Sequence, residues 1–130
     1  VDIIKIENIN SPMATLLPVA ILTVGELKAQ EAFQPLYDML TSEVKIKLAY
    51  KSRIIKSMGM IDAEKTSEIV ENEIKNAGDP RYLSALINFY KNYGTEKDIE
   101  ILEEIKKNVG GTLPKNIDKA IEKIEERAGE

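Results

Sequence analysis

The chain has 130 residues, of which 43% are hydrophobic and 31% charged, and its formal net charge is −4. That composition is typical of one soluble globular domain and argues against a disordered chain and against a dedicated nucleic-acid binder. There is no cysteine and no histidine, so disulfides, a thiol nucleophile, the commonest general base and the commonest metal ligand are all excluded. We therefore expect a non-enzymatic protein with no catalytic site, no metal and no cofactor.

The cellular location is only loosely constrained by these features. No apolar run reaches the roughly 18 residues that a membrane-spanning helix needs. The chain begins with Val1 instead of Met, which indicates a processed form or an excised fragment of a larger protein. We favour the cytoplasm, and a periplasmic location would require a signal peptide that has been removed. Nothing here predicts the oligomeric state.

The first ten residues differ from the rest of the chain. Residues 1–10 (VDIIKIENIN) are apolar at alternate and adjacent positions and carry no helix-capping signal. They are interpreted as a short N-terminal arm or as the end of a truncated helix.

Helix pairs follow in chain order, and their apolar residues recur at helical spacing. Capping side chains before a proline or an acid, at Ser11-Pro12, Ser42-Glu43 and Asp79-Pro80, mark the starts of first helices. Pro35 is interpreted as a residue in the first turn of a second helix. The first helices are predicted over about 12–24, 43–58, 80–93 and 114–128, and the second helices over about 29–41, 62–76 and 95–108.

Four of the seven glycines recur with one period. Gly25, Gly59, Gly94 and Gly129 are spaced by 34, 35 and 35 residues, each near the end of an apolar segment. Glycine is favoured just after a helix because it adopts the left-handed conformation without a Cβ clash. Periods of this length are typical of helical solenoids.

Three segments resemble HEAT-like repeats, especially the short phycobilisome-lyase type of armadillo-like α-solenoid. They are Val24-Gly25-Glu26-Leu27-Lys28 with Ala32-Phe33-Gln34-Pro35-Leu36, Ser42-Glu43-Val44-Lys45 before Met58-Gly59, and Asp79-Pro80-Arg81 before Tyr93-Gly94. The resemblance implies an all-α fold for residues 1–130, a right-handed α-α superhelix of about three helix pairs with a C-terminal capping helix. The repeats would be 11–41, 42–77 and 79–109, and the capping helix 113–130. Most such modules are scaffolds, so no lyase activity is implied.

The resemblance also indicates a binding face. In HEAT-like modules the second helices line the concave side, which would hold the partner. The residues placed there are Gln30, Gln34, Asp38, Glu68, Glu71, Asn72, Glu103 and Lys107.

A basic strip on helix 43–58 offers an alternative surface. Lys45, Arg53 and Lys56 lie on this helix, which has Glu43 as its one acid, and such a strip could engage phosphates or an acidic partner. A solvated helix face explains the same residues, as it does the Glu-rich stretches. On helix 80–93, the aromatic residues are expected mainly in the core. A tyrosine of this helix that stays partly exposed would be an interface anchor.

The function predicted from these features is a protein–protein interaction scaffold with an unidentified protein partner. The alternative is a nucleic-acid-binding HEAT-like module that uses the basic helix 43–58.

Overall fold

The computed structural model describes Ile4, residues 17–41 and residues 48–129. Helices joined by short turns make up these ranges, in which no strand occurs, so the all-α prediction is confirmed. Within the described ranges the helices are α1 (Leu17–Glu26), α2 (Phe33–Leu40), α3 (Leu48–Ile61), α4 (Ala63–Asn76), α5 (Pro80–Tyr93), α6 (Ile99–Lys106) and α7 (Leu113–Ala128). None of these helices is long and apolar enough to cross a membrane.

Some predicted features lie outside the described residues. They are the N-terminal arm 1–10 apart from Ile4, which is buried, the helix starts at Ser11-Pro12 and Ser42-Glu43, and Lys45 of the basic strip. The chain divides into two compact units between Thr66 and Ser67, inside α4. Unit 1 precedes this boundary and unit 2 follows it. The interpretation of residues 1–130 as one domain stays a prediction.

The helix starts follow from local chemistry. Asp79 caps α5 by accepting a 2.8 Å hydrogen bond from the backbone N–H of Arg81, and Pro80 occupies the first helical position, where no N–H is needed. The predicted helix 80–93 therefore coincides with α5. Two short 3₁₀ turns, Gln30–Ala32 and Glu96–Asp98, lead directly into α2 and α6. Pro35 is the third residue of α2, within its first turn as predicted.

The core of unit 1 forms where α1 and α2 both pack on α3. Ser57 on α3 is fully buried and donates a 2.6 Å hydrogen bond to the carbonyl oxygen of Ile21 on α1. That bond satisfies a hydroxyl group that is buried among apolar side chains. The buried apolar residues of the three helices are Leu17, Ile21, Val24, Leu36, Met39, Leu40, Ile54, Ile55, Met58 and Ile61.

The periodic glycines are not the left-handed caps that the sequence predicted. Gly25 lies inside α1 and Gly59 inside α3, whereas Gly94 and Gly129 end α5 and α7 with φ of −64° and −80°. A Cβ on Gly25 would lie 2.8 Å from the Cα of Ser57, and one on Gly94 would lie 2.8 Å from Cδ1 of Ile124. At Gly25 glycine is therefore needed for close packing of α1 on the backbone of α3. At Gly94 the atom met on α7 is the flexible end of a side chain, and the nearer obstacle is the carbonyl oxygen of Tyr90 at 2.5 Å.

The left-handed position at the end of α1 belongs to Lys28, whose φ is 52°. The N–H of Ala29 donates to the carbonyl of Val24 at 2.9 Å, and that of Lys28 donates to the carbonyl of Gly25 at 3.0 Å. This pair of bonds defines a Schellman motif, in which the left-handed residue is usually glycine. The left-handed residue therefore lies three residues beyond Gly25, the glycine that was expected to adopt this conformation.

In unit 2, α5 and α6 both pack on α7. The beginnings of α5 and α7 share one surface recess, which includes Pro80 and Leu113. Their ends also meet, because Arg127 donates hydrogen bonds to the carbonyl oxygens of Tyr90, Lys91 and Gly94 at 3.2, 2.6 and 2.7 Å. The two helices therefore run parallel, with α6 as the connection between them.

Candidate functional site

The concave-face residues predicted on unit 1 partly bond to their own chain. The side-chain amide of Gln30 donates a 2.9 Å hydrogen bond to the carbonyl oxygen of Ile61, at the end of α3. Gln34 donates to the carboxylate of Asp38 at 2.7 Å, one helical turn away. All three predicted residues are exposed, but Gln30 is committed to holding the turn before α2 against α3.

The predicted residues on unit 2 lie on α4, α6 and the residue after α6. Glu68, Asn72, Glu103 and Lys107 are exposed, and Glu71 is half-buried. Two of them form local, exposed ion pairs: Glu71 with Lys75 at 3.8 Å and Lys107 with Glu104 at 3.4 Å. Such pairs contribute little to stability and leave the groups available to solvent. The structure places these residues on the surface, and their role in binding stays a prediction.

The basic strip is described only on α3. Arg53 and Lys56 are exposed there, and α3 contains no acidic residue. Lys45 lies outside the described residues. The strip therefore reduces, in this part of the chain, to two exposed cations on one helix.

A groove between α5 and α7 was not predicted from the sequence. Its volume is about 370 Å³, and none of the described residues that line it carries a carboxylate. The signal that could have revealed it is on α5, where polar and basic residues recur at helical spacing opposite the apolar face and no acid occurs. The polar side chains lining this α5–α7 groove are Arg81, Ser84, Asn88, Lys91, Asn116 and Lys119.

The cations of the α5–α7 groove differ in how they are paired. The guanidinium of Arg81 lies 3.2 Å from the carboxylate of Asp79, and its hydrogen bond holds the pKa of that carboxyl below its usual value. For Lys91 and Lys119, the described part of the chain supplies no carboxylate within ion-pairing distance. The groove therefore carries two positive charges that no described carboxylate compensates.

The α5–α7 groove continues into an apolar recess at the beginnings of the two helices. The recess has a volume of about 620 Å³ and shares Arg81 and Ser84 with the groove. Its apolar walls are Pro80, Leu83, Val109 and Leu113. One surface of unit 2 is therefore apolar at one end and basic at the other.

A second groove, between α6 and α7, has the opposite charge. Glu103, Glu122, Glu125 and Glu126 line it together with Asp118, which Lys106 contacts at 2.6 Å. The two grooves lie on either side of α7, so this helix separates a basic surface from an acidic one.

Two tyrosines behind the α5–α7 groove are buried in different ways. The hydroxyl of Tyr82 donates a 2.8 Å hydrogen bond to Glu73, whereas that of Tyr90 has no hydrogen-bond partner among the described residues. Burial raises the pKa of both phenols, and Glu73 adds to the shift at Tyr82. Phe89 is buried as well. Tyr93 packs on it, with 5.3 Å between the two ring centroids, and remains partly exposed.

The described residues contain no cluster of three His, Cys, Asp or Glu side chains that could hold a metal ion. No protein-family model, curated protein or solved structure matches the chain. The assignment to the HEAT-like family therefore stays a prediction from the sequence segments that resemble such repeats.

Proposed function

We propose that this chain is a non-enzymatic protein-binding module of the HEAT-like α-solenoid type and that its partner binds along the α5–α7 groove. The observation that carries the proposal is the groove itself. It presents hydroxyl, amide and ammonium groups to solvent from two helices that are packed on each other. Polar groups held on rigid helices suit the recognition of an extended surface.

The packing within each unit supports the solenoid part of the proposal. In unit 1, α1 packs on α3, the next helix but one along the chain. In unit 2, α5 packs on α7 in the same way. In both units the intervening helix also packs on the later one. Stacked helix pairs of a solenoid have this pattern, in which each repeat completes the core of its neighbour.

A nucleic-acid partner is the alternative, and one observation favours it: Arg53 and Lys56 are exposed on an acid-free helix. Two cations neutralise few phosphates, and nucleic-acid affinity depends on how many are neutralised. Among the described residues that line the α5–α7 groove there is also no aromatic side chain on which a base could stack. A protein partner explains more of these exposed groups than a nucleic acid does, because the groove offers hydroxyl and amide groups as well as cations.

Site-specific photo-crosslinking in a lysate of the source cells tests the proposal. A photoreactive amino acid is placed at Asn88 in the groove, at Gln34 on α2, at Lys56 on α3, or at the control position Glu100 on α6, all of which are exposed. We expect a protein adduct from Asn88 and none from Glu100, and the captured protein, once purified, should bind the unmodified chain saturably.

Three results would count against the proposal. Nucleic-acid adducts from Lys56 would support the alternative. Protein adducts from Gln34 and not from Asn88 would move the binding surface to α2. If no position gave an adduct above the control, the protein-binding role itself would be rejected.

A further inference from the structure

We infer that the α5–α7 groove and its apolar recess together form a site for an extended acidic segment of a partner protein, anchored at one end by an apolar side chain. This inference rests on the proposed protein-binding function and names the chemistry of the partner.

Charge decides the sign of the occupant. Lys91 and Lys119 face the groove without a carboxylate partner among the described residues, although the whole chain has a net charge of −4. Grouped cations on an otherwise acidic chain favour an anionic ligand at that place, because local potential steers encounter and fixes register. Asn88 and Asn116 add amide N–H donors between the cations, and such donors bind carboxylate oxygens.

Length decides between a single anion and a chain of anionic groups. Arg81 and Lys91 are ten residues apart on one helix, which corresponds to about 15 Å at the usual helical rise. One carboxylate or phosphate cannot contact both ends of that distance. An extended peptide covers it with roughly four or five residues at about 3.3 Å each.

The apolar recess decides how the segment begins or ends. Leu83 and Leu113 are largely buried beneath the recess, and Pro80 and Val109 form its other apolar walls. Leu83 precedes Lys91 by eight residues, or about 12 Å of helix. The matching peptide therefore carries a Leu, Ile or Val side chain about four residues from its acidic residues.

Fluorescence anisotropy with labelled peptides of about ten residues tests the inference, because that length covers the roughly four or five residues of the site and leaves flanking residues at both ends. The first peptide has a leucine followed, about four residues later, by a run of aspartate and glutamate. In the second peptide the acids become asparagine and glutamine, and in the third the leucine becomes serine. A single-stranded oligonucleotide of matching charge serves as the nucleic-acid probe.

Two double variants with the same change in net charge provide the matched comparison. Lys91→Glu/Lys119→Glu reverses the groove, and Arg53→Glu/Lys56→Glu reverses the exposed strip on α3. Lys91→Gln/Lys119→Gln removes the groove charges without reversing them. Far-UV circular dichroism establishes that each variant keeps its helices.

We expect the first peptide to bind, and the second and third to bind more weakly. Reversal of the groove should weaken the first peptide at least about tenfold, because two attractive contacts become repulsive. The glutamine variant should fall between it and the original chain, and the α3 variant should change affinity less than about twofold, since distant exposed charges are screened.

Several results would overturn the inference. Equal weakening by the groove and α3 variants would indicate a general charge effect, and tighter binding of the oligonucleotide would indicate nucleic acid. If no peptide bound, or if a purified cross-linked partner bound the groove-reversed variant normally, the acidic-segment site would be rejected while the protein-binding function stood. If the peptide bound but cross-linking found no partner protein, the proposed function would fail.

Discussion

Gly25 of α1 and Ser57 of α3 approach so closely that a Cβ on Gly25 would lie 2.7 Å from the hydroxyl oxygen of Ser57 and 2.8 Å from its Cα. A side chain can rotate away from a new methyl group, but a Cα belongs to the backbone of a packed helix. Close approach of the two helices therefore depends on the absence of a side chain at residue 25.

Gly25→Ala should destabilise the protein by about 1–3 kcal/mol, because overpacking forces the helices apart. Inside a helix, alanine alone would stabilise by roughly 0.5–1 kcal/mol relative to glycine. A measured loss therefore identifies the steric contact. Urea unfolding followed by circular dichroism gives the free energy of unfolding.

Gly78→Ala is the matched control for Gly25→Ala. A Cβ on Gly78 would meet no atom of the described residues within 4 Å, so we expect a change within about 0.5 kcal/mol, as for other open surface sites. If Gly25→Ala were as mild as Gly78→Ala, the close approach of α1 and α3 would be contradicted.

Arg127→Ala should lower the free energy of unfolding by about 1–2 kcal/mol. Three carbonyl oxygens at the end of α5 would lose a charged hydrogen-bond donor, which also lies favourably for the helix dipole. Arg127→Lys keeps the charge, but an ammonium cannot reproduce the planar fork, so an intermediate loss is expected. Arg81→Ala removes an equally cationic side chain whose ion pair with Asp79 is exposed, and should stay within about 0.5 kcal/mol. Equal effects of the two alanine variants would rule out a capping role for Arg127.

Removing the hydroxyl of Tyr90 should not weaken the fold. It is fully buried and has no hydrogen-bond partner among the described residues, so Tyr90→Phe relieves an uncompensated desolvation and leaves stability equal or higher by up to about 1 kcal/mol. Tyr82→Phe deletes a hydrogen bond to Glu73 and should cost about 1 kcal/mol. Chemical unfolding of both variants checks the contrast, and a clear loss in Tyr90→Phe would contradict it.

Alkaline pH should destabilise the folded chain through the same two phenols. Burial raises the pKa of Tyr90 and Tyr82 in the folded state, whereas an unfolded tyrosine titrates near pH 10. Above about pH 10 the unfolded state releases protons that the folded state keeps, so the free energy of unfolding falls by about 1.4 kcal/mol per pH unit for each tyrosine.

The pH effect is measured by urea unfolding from about pH 9 to pH 11.5, the range around the usual tyrosine pKa. The double variant Tyr82→Phe/Tyr90→Phe is the comparison, because lysine titration is common to both proteins. We expect its stability to fall less steeply with pH. Parallel curves would show that these phenols do not control alkaline unfolding.

Helix positions could be predicted well where the signal was local. Asp79 and Pro80 define the start of α5 through one capping hydrogen bond and one fixed φ angle, and both effects are independent of the rest of the chain. The prediction that Gly25 is a helix cap was wrong, because the actual role of this glycine depends on Ser57, which is 32 positions away. The left-handed position at Lys28 could not be foreseen either, since lysine is not the residue favoured there.

The candidate site could be predicted less well than the helices. The polar stripe on α5 is visible in the sequence, but its pairing with α7 depends on a parallel contact that no local pattern specifies. Gln30, which was placed on the binding face from the repeat register, also donates to the carbonyl of Ile61, a long-range contact that no local pattern could reveal, and its role in binding stays a prediction.

The Arg127 contacts also bear on how unit 2 opens. Helix ends ordinarily fray one at a time, and their amide hydrogens exchange with solvent faster than those of the helix centre. Here the last turn of α7 carries the side chain that holds the last carbonyl oxygens of α5, where Gly94 donates its own N–H to Tyr90 at 2.7 Å. Loosening of either end should release the other, so we expect the two C-terminal turns to exchange their amide hydrogens as one cooperative unit.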